Sequence, residues 1–332
     1  MKRIFCLLFT VIFIFAAYGC SGRSDEMIII EMSARTKEMI EAMGFGDAKA
    51  GEKEGWESTT LPKLLARESG YIEMGTTHDD GTPIDFKSDF DTKFGGMDYV
   101  SSFTPKGGQF DKIMFYIHGG AYIYGAINSH AIYCDNLSYS NDALVVVPNY
   151  GLAPQYTYKE AYDMLDKVYE TLLKYEKPII ILGDSAGGGL AVAYTLYLSE
   201  KGVKTPDKVV LNSPWLDVNM TNPDIPEYQK NDRMLSPYGL IEAGKYWAGD
   251  LDTSDYRISP IFGDFADFPE TLMFRATWEI FYPDEVKFEK ILKDSGVKIK
   301  IAELRGFMHA APLLETLDEY TQMLDIVKDF VK

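Results

Sequence analysis

Pro178-Ile-Ile-Ile-Leu-Gly-Asp-Ser-Ala-Gly-Gly-Gly189 carries the strongest structural signal in the chain. Its front half, Ile179–Leu182, is a short apolar run rich in β-branched residues, the composition of a central parallel strand covered on both faces. Gly183 and Gly187 flank Ser185 in the spacing Gly-x-Ser-x-Gly. A strand that turns this sharply into a helix strains its central residue, and only residues lacking Cβ fit on either side. The Ser185 hydroxyl then stands above the sheet edge at a helix N-terminus, a position that favours developing negative charge. A phosphate-cradling loop is the competing reading, but no Lys-Ser/Thr pair follows the glycines.

On either side of this turn, strands and helices alternate. Ile113–Ile117, Ala143–Val147, Lys208–Leu211, Thr271–Arg275 and Val297–Leu304 read as strands. Asn128–Ser140, Thr157–Lys174, the segment after Ser185, Asp284–Asp294 and Pro312–Val331 read as helices. The alternation predicts an α/β fold, a mostly parallel central sheet with helices on both faces. Ligands of such sheets bind beyond the carboxyl ends of the strands. Upstream, Tyr71–Thr77, Ile84–Phe90 and Gly96–Phe103 read as an antiparallel edge, punctuated by Asp79-Asp80-Gly81 and Gly95-Gly96. Residues 27–70 read as helical and amphipathic, with Met32, Met39, Ile40, Met43 and Phe45 on one side. Asn219–Arg257, rich in Pro, Asp, Met and Tyr, breaks the rhythm. These two stretches, 27–70 and 219–257, are expected to form a helical cap on a single domain spanning 27–332.

The 332 residues, 46% hydrophobic, suffice for one large core. A net charge of -17 and a pI near 4.7 argue against nucleic acid or an anionic membrane surface as partner. Lys2 and Arg3 precede the apolar run Ile4–Tyr18, too short for a comfortable membrane span, so residues 1–19 read as an export signal. The run ends Ala17-Tyr18-Gly19-Cys20, which resembles a bacterial lipobox. Cleavage there makes Cys20 the lipid-bearing N-terminus, residues 20–26 a tether, and the bacterial cell envelope the expected location. Of the three cysteines only Cys134 then remains inside the domain, which excludes an intramolecular disulfide.

A serine nucleophile needs a base, a group that orients the base, and donors for the oxyanion. The candidates for the base are His78, His118, His130 and His309, and only His309, after the last strand, follows Ser185. The order Ser, acid, His therefore selects His309. His118-Gly119-Gly120-Ala121 ends a strand, where glycine N–H groups can approach a substrate carbonyl. Gly119 and Gly120, with the N–H of Ala186, are the expected oxyanion hole, and His118 is expected to fix the loop. Glu279 and Asp284 both follow the strand Thr271–Arg275. Glu279, just past the strand end, is the expected acid; Asp284, after Pro283, better suits a helix N-terminus. Tyr122, Tyr124, Trp215 and Tyr282 are candidates for lining the pocket.

His118-Gly119-Gly120-Ala121, Tyr150-Gly151-Leu152-Ala153-Pro154, Gly183-Asp184-Ser185-Ala186-Gly187-Gly188, Ser213-Pro214-Trp215-Leu216-Asp217 and Gly306-Phe307-Met308-His309 stand in a fixed order. Over roughly residues 70–330 the chain resembles the hormone-sensitive lipase-like branch of the α/β-hydrolases. The resemblance implies an α/β-hydrolase fold with a cap, and esterase or lipase activity on small or medium acyl esters without metal or cofactor. It implies Ser185 as nucleophile, His309 as base, and Gly119, Gly120 and Ala186 as oxyanion donors. Two positions depart from the family pattern: Ala121 stands for a third glycine, and Glu279-Ile280-Phe281 replaces Asp-Pro-Leu. The other readings are an amidase or peptidase with the same triad, and a non-catalytic surface binding protein.

Overall fold

The computed structural model describes residues 27–42, 51–78 and 80–332. The leader, the tether with Cys20, and Met43, Phe45 and Asp79 lie outside the described residues. Nine strands form one sheet in the order β1-β9-β8-β7-β6-β4-β5-β3-β2. In chain order they are β1 (Met27–Glu31), β2 (Asp89–Asp91), β3 (Val100–Thr104), β4 (Lys112–Ile117), β5 (Ala143–Pro148), β6 (Ile179–Asp184), β7 (Lys208–Asn212), β8 (Glu270–Ala276) and β9 (Ile299–Arg305). Only β3 runs against the rest. The helices are α1 (Ala34–Ala42), α2 (Lys53–Gly55), α3 (Leu61–Leu65), α4 (Asn128–Asn141), α5 (Tyr158–Leu173), α6 (Ser185–Glu200), α7 (Ile225–Tyr228), α8 (Pro237–Ala248), α9 (Tyr282–Asp294) and α10 (Tyr320–Phe330). A π-helical turn, Trp56–Thr60, joins α2 to α3.

Period-two alternation divides each central strand between two cores. Ile113, Phe115 and Ile117 of β4, with Ile179 and Ile181 of β6, pack under α5, α6 and α9. Met114 and Tyr116, with Ile180 and Leu182, pack under α4 and α10 on the opposite face. The helix α5 starts where its sequence says: the Thr157 N–H donates to Glu160 Oε2 at 2.8 Å, and Thr157 Oγ1 accepts from the Lys159 N–H at 3.4 Å. Chain order reverses between β4, whose sequel β5 lies on one side, and β6 on the other. The crevice beyond the carboxyl ends of these two strands is therefore the natural ligand site.

The start of the chain departs from expectation. Met27–Glu31 is a strand, paired in parallel with Ile301–Arg305 of β9. Of the three upstream strands, Tyr71–Thr77 is irregular apart from the bridge Thr77↔Pro83, and the second shrinks to β2. The 219–257 stretch holds α7 and α8. The segment 51–65 lies against α8: the Gly239 N–H donates to the Gly51 carbonyl at 2.7 Å and the Tyr238 hydroxyl to Glu57 at 3.1 Å. Among the described residues no helix is long and apolar enough to cross a membrane.

Candidate active site

Ser185 ends the turn from β6 into α6 with φ +53°, a left-handed conformation that costs a non-glycine residue about 1–2 kcal/mol. The neighbouring glycines make the turn possible. A Cβ on Gly183 would meet the Gly187 carbonyl at 2.4 Å, and one on Gly187 the Ile117 carbonyl at 2.1 Å. The Ser185 carbonyl accepts from the Trp215 N–H at 2.8 Å, which fixes the turn to the loop after β7.

The loop after β4 faces this turn and is held by side chains from three elements. Asp184 Oδ1 accepts from the Tyr116 hydroxyl at 2.6 Å and from the Gly119 N–H at 2.9 Å. The Ile127 N–H donates to His130 Nδ1 at 3.0 Å, so the proton sits on Nε2, which lies 3.3 Å from Asp184 Oδ2. Burial alone would raise the Asp184 carboxyl; His130, the Tyr116 hydroxyl and the Gly119 amide together hold it below the ordinary value.

This arrangement corrects one expectation. The Gly119 N–H is committed to Asp184 and is not an oxyanion donor. Gly119 is glycine for space, since its Cβ would lie 2.1 Å from Asp184 Oδ2. The free amides follow from which carbonyls are anchored. His118 Nδ1 donates to the Gly119 carbonyl at 2.7 Å, and the Gly120 carbonyl accepts from Ile123 and Tyr124 at 3.0 and 2.8 Å. In a trans peptide the N–H points opposite its carbonyl, so the Gly120 and Ala121 amides turn away from both anchors. His118 itself is structural. It stacks on Tyr150 with ring centroids 4.4 Å apart, and burial lowers its pKa to about 4.

Glu279 and His309 meet in the loops after β8 and β9. Glu279 Oε2 lies 2.5 Å from His309 Nδ1, and Glu279 Oε1 accepts the Ala276 N–H at 2.9 Å. Both residues are buried. Burial lowers the His309 pKa, but the Glu279 hydrogen bond and charge, then Asp232 and Asp184, outweigh it and leave it above 6.5. The Ala310 N–H donates to Ser213 Oγ at 3.1 Å, so the His309 loop, the loop after β7 and the Ser185 turn form one bonded unit. Asp284, the alternative acid, instead accepts from Asn222 Nδ2 at 2.9 Å.

Two groups here were not singled out from sequence. Asp232, from the 219–257 stretch, accepts from the Ile280 N–H at 2.9 Å beside Glu279. Glu285 in the first turn of α9 is fully buried, and neither carboxyl oxygen receives a hydrogen bond. Burial, then the charge of Glu279, push its pKa well above the ordinary carboxyl value. Of the pocket aromatics, Tyr122 and Trp215 belong to the core, where Tyr122 stacks on Trp247 at 4.2 Å, and Tyr282 donates to Glu303 at 3.0 Å. Tyr124 is exposed. His78 is exposed. Among the described residues no group of three or more His, Cys, Asp or Glu side chains is arranged to hold a metal ion.

Residues 114–313 match a family described as having the alpha/beta hydrolase fold. The chain belongs to the α/β-hydrolase family. The hydrolase is 32% identical over 230 residues to an esterase of Acinetobacter venetianus, covering 65% of this chain and 76% of that one. It is 27% identical over 219 residues to an ethyl acetate hydrolase of Pseudomonas putida, covering 62% and 69%. A solved hormone-sensitive lipase homologue from a metagenome library superposes with a TM-score of 0.65 at 25% identity, covering 70% of the hydrolase and 80% of that chain. The hydrolase is a carboxylic ester hydrolase of the hormone-sensitive lipase-like branch.

Proposed function

We propose that this enzyme cleaves short- to medium-chain acyl esters through a Ser185–His309–Glu279 triad and an acyl-enzyme. The observation that carries the reading is the 2.5 Å bond from Glu279 to His309 Nδ1, on a loop bonded back to the Ser185 turn. With Nδ1 occupied, Nε2 is the free nitrogen of His309. Ser185 Oγ adds to the ester carbonyl carbon as its proton passes to His309 Nε2. The negative oxygen rests on the amides of Gly120, Ala121 and Ala186. The bond to the alcohol oxygen then breaks as His309 returns the proton to it. Water adds to the acyl carbon with His309 again accepting a proton, and the acid leaves as Ser185 regains its own. Glu279 holds the ring through Nδ1 and stabilises the imidazolium.

The preference for short acyl groups is supported by the ethyl acetate hydrolase among the relatives. We further propose export and lipidation at Cys20, supported by Lys2-Arg3, the apolar run and the Gly19-Cys20 boundary. Rates on p-nitrophenyl esters from acetate to palmitate, beside Ser185→Ala, test the mechanism. Turnover on the short and medium esters that falls away toward palmitate, and its abolition in the variant, are expected; turnover surviving in the variant overturns the triad.

A further inference from the structure

Arg67 lies upstream of the residues that match the hydrolase family, which begin at 114. It is half-buried at the end of the 51–67 segment, and its guanidinium bonds two loops at once. Nη1 donates to the Ile123 carbonyl at 2.6 Å and Nη2 to the Ala153 carbonyl at 2.7 Å. Nε and Nη2 also reach Gln155 Oε1 at 3.2 and 2.8 Å. Gln155 answers with its amide, donating to the Leu64 and Arg67 carbonyls at 2.6 and 3.2 Å. The two loops are themselves joined, since the Ala153 N–H donates to the Tyr122 carbonyl at 2.9 Å. Under this polar clamp Trp56, Leu64, Ile123, Ala153 and Ala243 of α8 form one small apolar cluster.

Ile123 is the critical link. Its carbonyl takes Arg67, and its N–H donates at 3.0 Å to the Gly120 carbonyl, a bond that together with the Tyr124 N–H at 2.8 Å aims the Ala121 amide. We infer that Arg67 is a positioning residue for ester hydrolysis, coupling the segment 51–67 and α8 to the orientation of the Ala121 oxyanion donor. The inference rests on the oxyanion assignment above. A planar guanidinium fork fixes two carbonyls in defined directions, which the single ammonium of a lysine does not. The apolar cluster carries the same coupling to α8.

The test compares the wild type with Arg67→Ala, Arg67→Lys and Gln155→Leu. The readouts are kcat and KM for p-nitrophenyl acetate and butyrate, and inhibition by a trifluoromethyl ketone, whose adduct carries the tetrahedral oxygen. Loss of one oxyanion donor costs about 100-fold or more in kcat, so partial misaim in Arg67→Ala is expected to lower kcat about tenfold. KM should stay within about twofold, and the ketone should weaken by the same factor as kcat. Arg67→Lys and Gln155→Leu should fall between the two. An Arg67→Ala enzyme that melts earlier but keeps its kcat and ketone affinity overturns the inference, as does a Lys variant no better than Ala once both are shown folded by circular dichroism. Failure of the underlying reading looks different: Ser185→Ala would retain turnover, or the wild type would not bind the ketone.

Discussion

Asp184 Oδ1 accepts the Gly119 N–H at 2.9 Å, so the residue before the nucleophile holds the loop that faces it. The same carboxylate takes Tyr116 and His130, and a charge buried this way is stable only while its donors remain. Asp184→Asn sets an amide N–H against the His130 Nε2 proton. The expected result is a kcat reduced about tenfold, with KM little changed, and a loss of roughly 1–3 kcal/mol of stability. Steady-state kinetics beside a urea melt check both.

Glu279 and Asp284 separate cleanly. Glu279→Gln keeps the shape but loses the charge that stabilises the imidazolium, and kcat should fall by about 1000-fold or more. Asp284→Asn keeps the contact with Asn222 and should leave kcat within about threefold. Equal losses in the two variants would contradict the assignment.

The acid limb of the pH profile follows from His309. Its pKa stands above 6.5, and only the neutral ring accepts the serine proton. kcat/KM for p-nitrophenyl acetate should therefore rise through a limb above pH 6.5. Asp232→Asn removes a charge that raises this pKa, so the limb should move to lower pH while the plateau rate stays similar.

Two buried acids tie stability to pH. Burial raises Asp284 to about 6, and burial with the Glu279 charge raises Glu285 well above its ordinary value. Acids raised in the folded state favour folding fully below their unfolded pKa, and the advantage is lost as pH rises through the folded one. For Asp284 alone the full span is about 3 kcal/mol, from well below pH 4 to above pH 7. Asp284→Asn and Glu285→Gln should raise Tm by more at pH 8 than at pH 4.5. Calorimetry at the two pH values decides it; equal gains would mean that folding raises neither carboxyl's pKa.

The central strands and the Ser185 turn were legible because their causes are local. β-branched runs specify buried strands, and Gly183 and Gly187 stand where any Cβ would strike backbone. Glu279 and His309 were legible by order along the chain. Gly119 misled because the direction of its amide is set by Asp184, a side chain 65 residues away. Arg67 and Glu285 carry no motif, and their meaning appears only when distant loops are brought against them. Met27–Glu31 read as helix because its strand partner lies at the far end of the sequence.

That last pairing bears on the order of folding. β1 takes its ladder from β9, and Ser33 and Thr36 bond to Glu319 at 2.5 and 2.6 Å. Almost the whole chain must be present before either contact exists, and contacts of such separation form late. As the polypeptide emerges from its N-terminus, its first strand waits unpaired while the rest of the sheet is built. Joining Met27 to Ile301 is thus a closing event, and a chain cut short before β9 leaves its own beginning without a place.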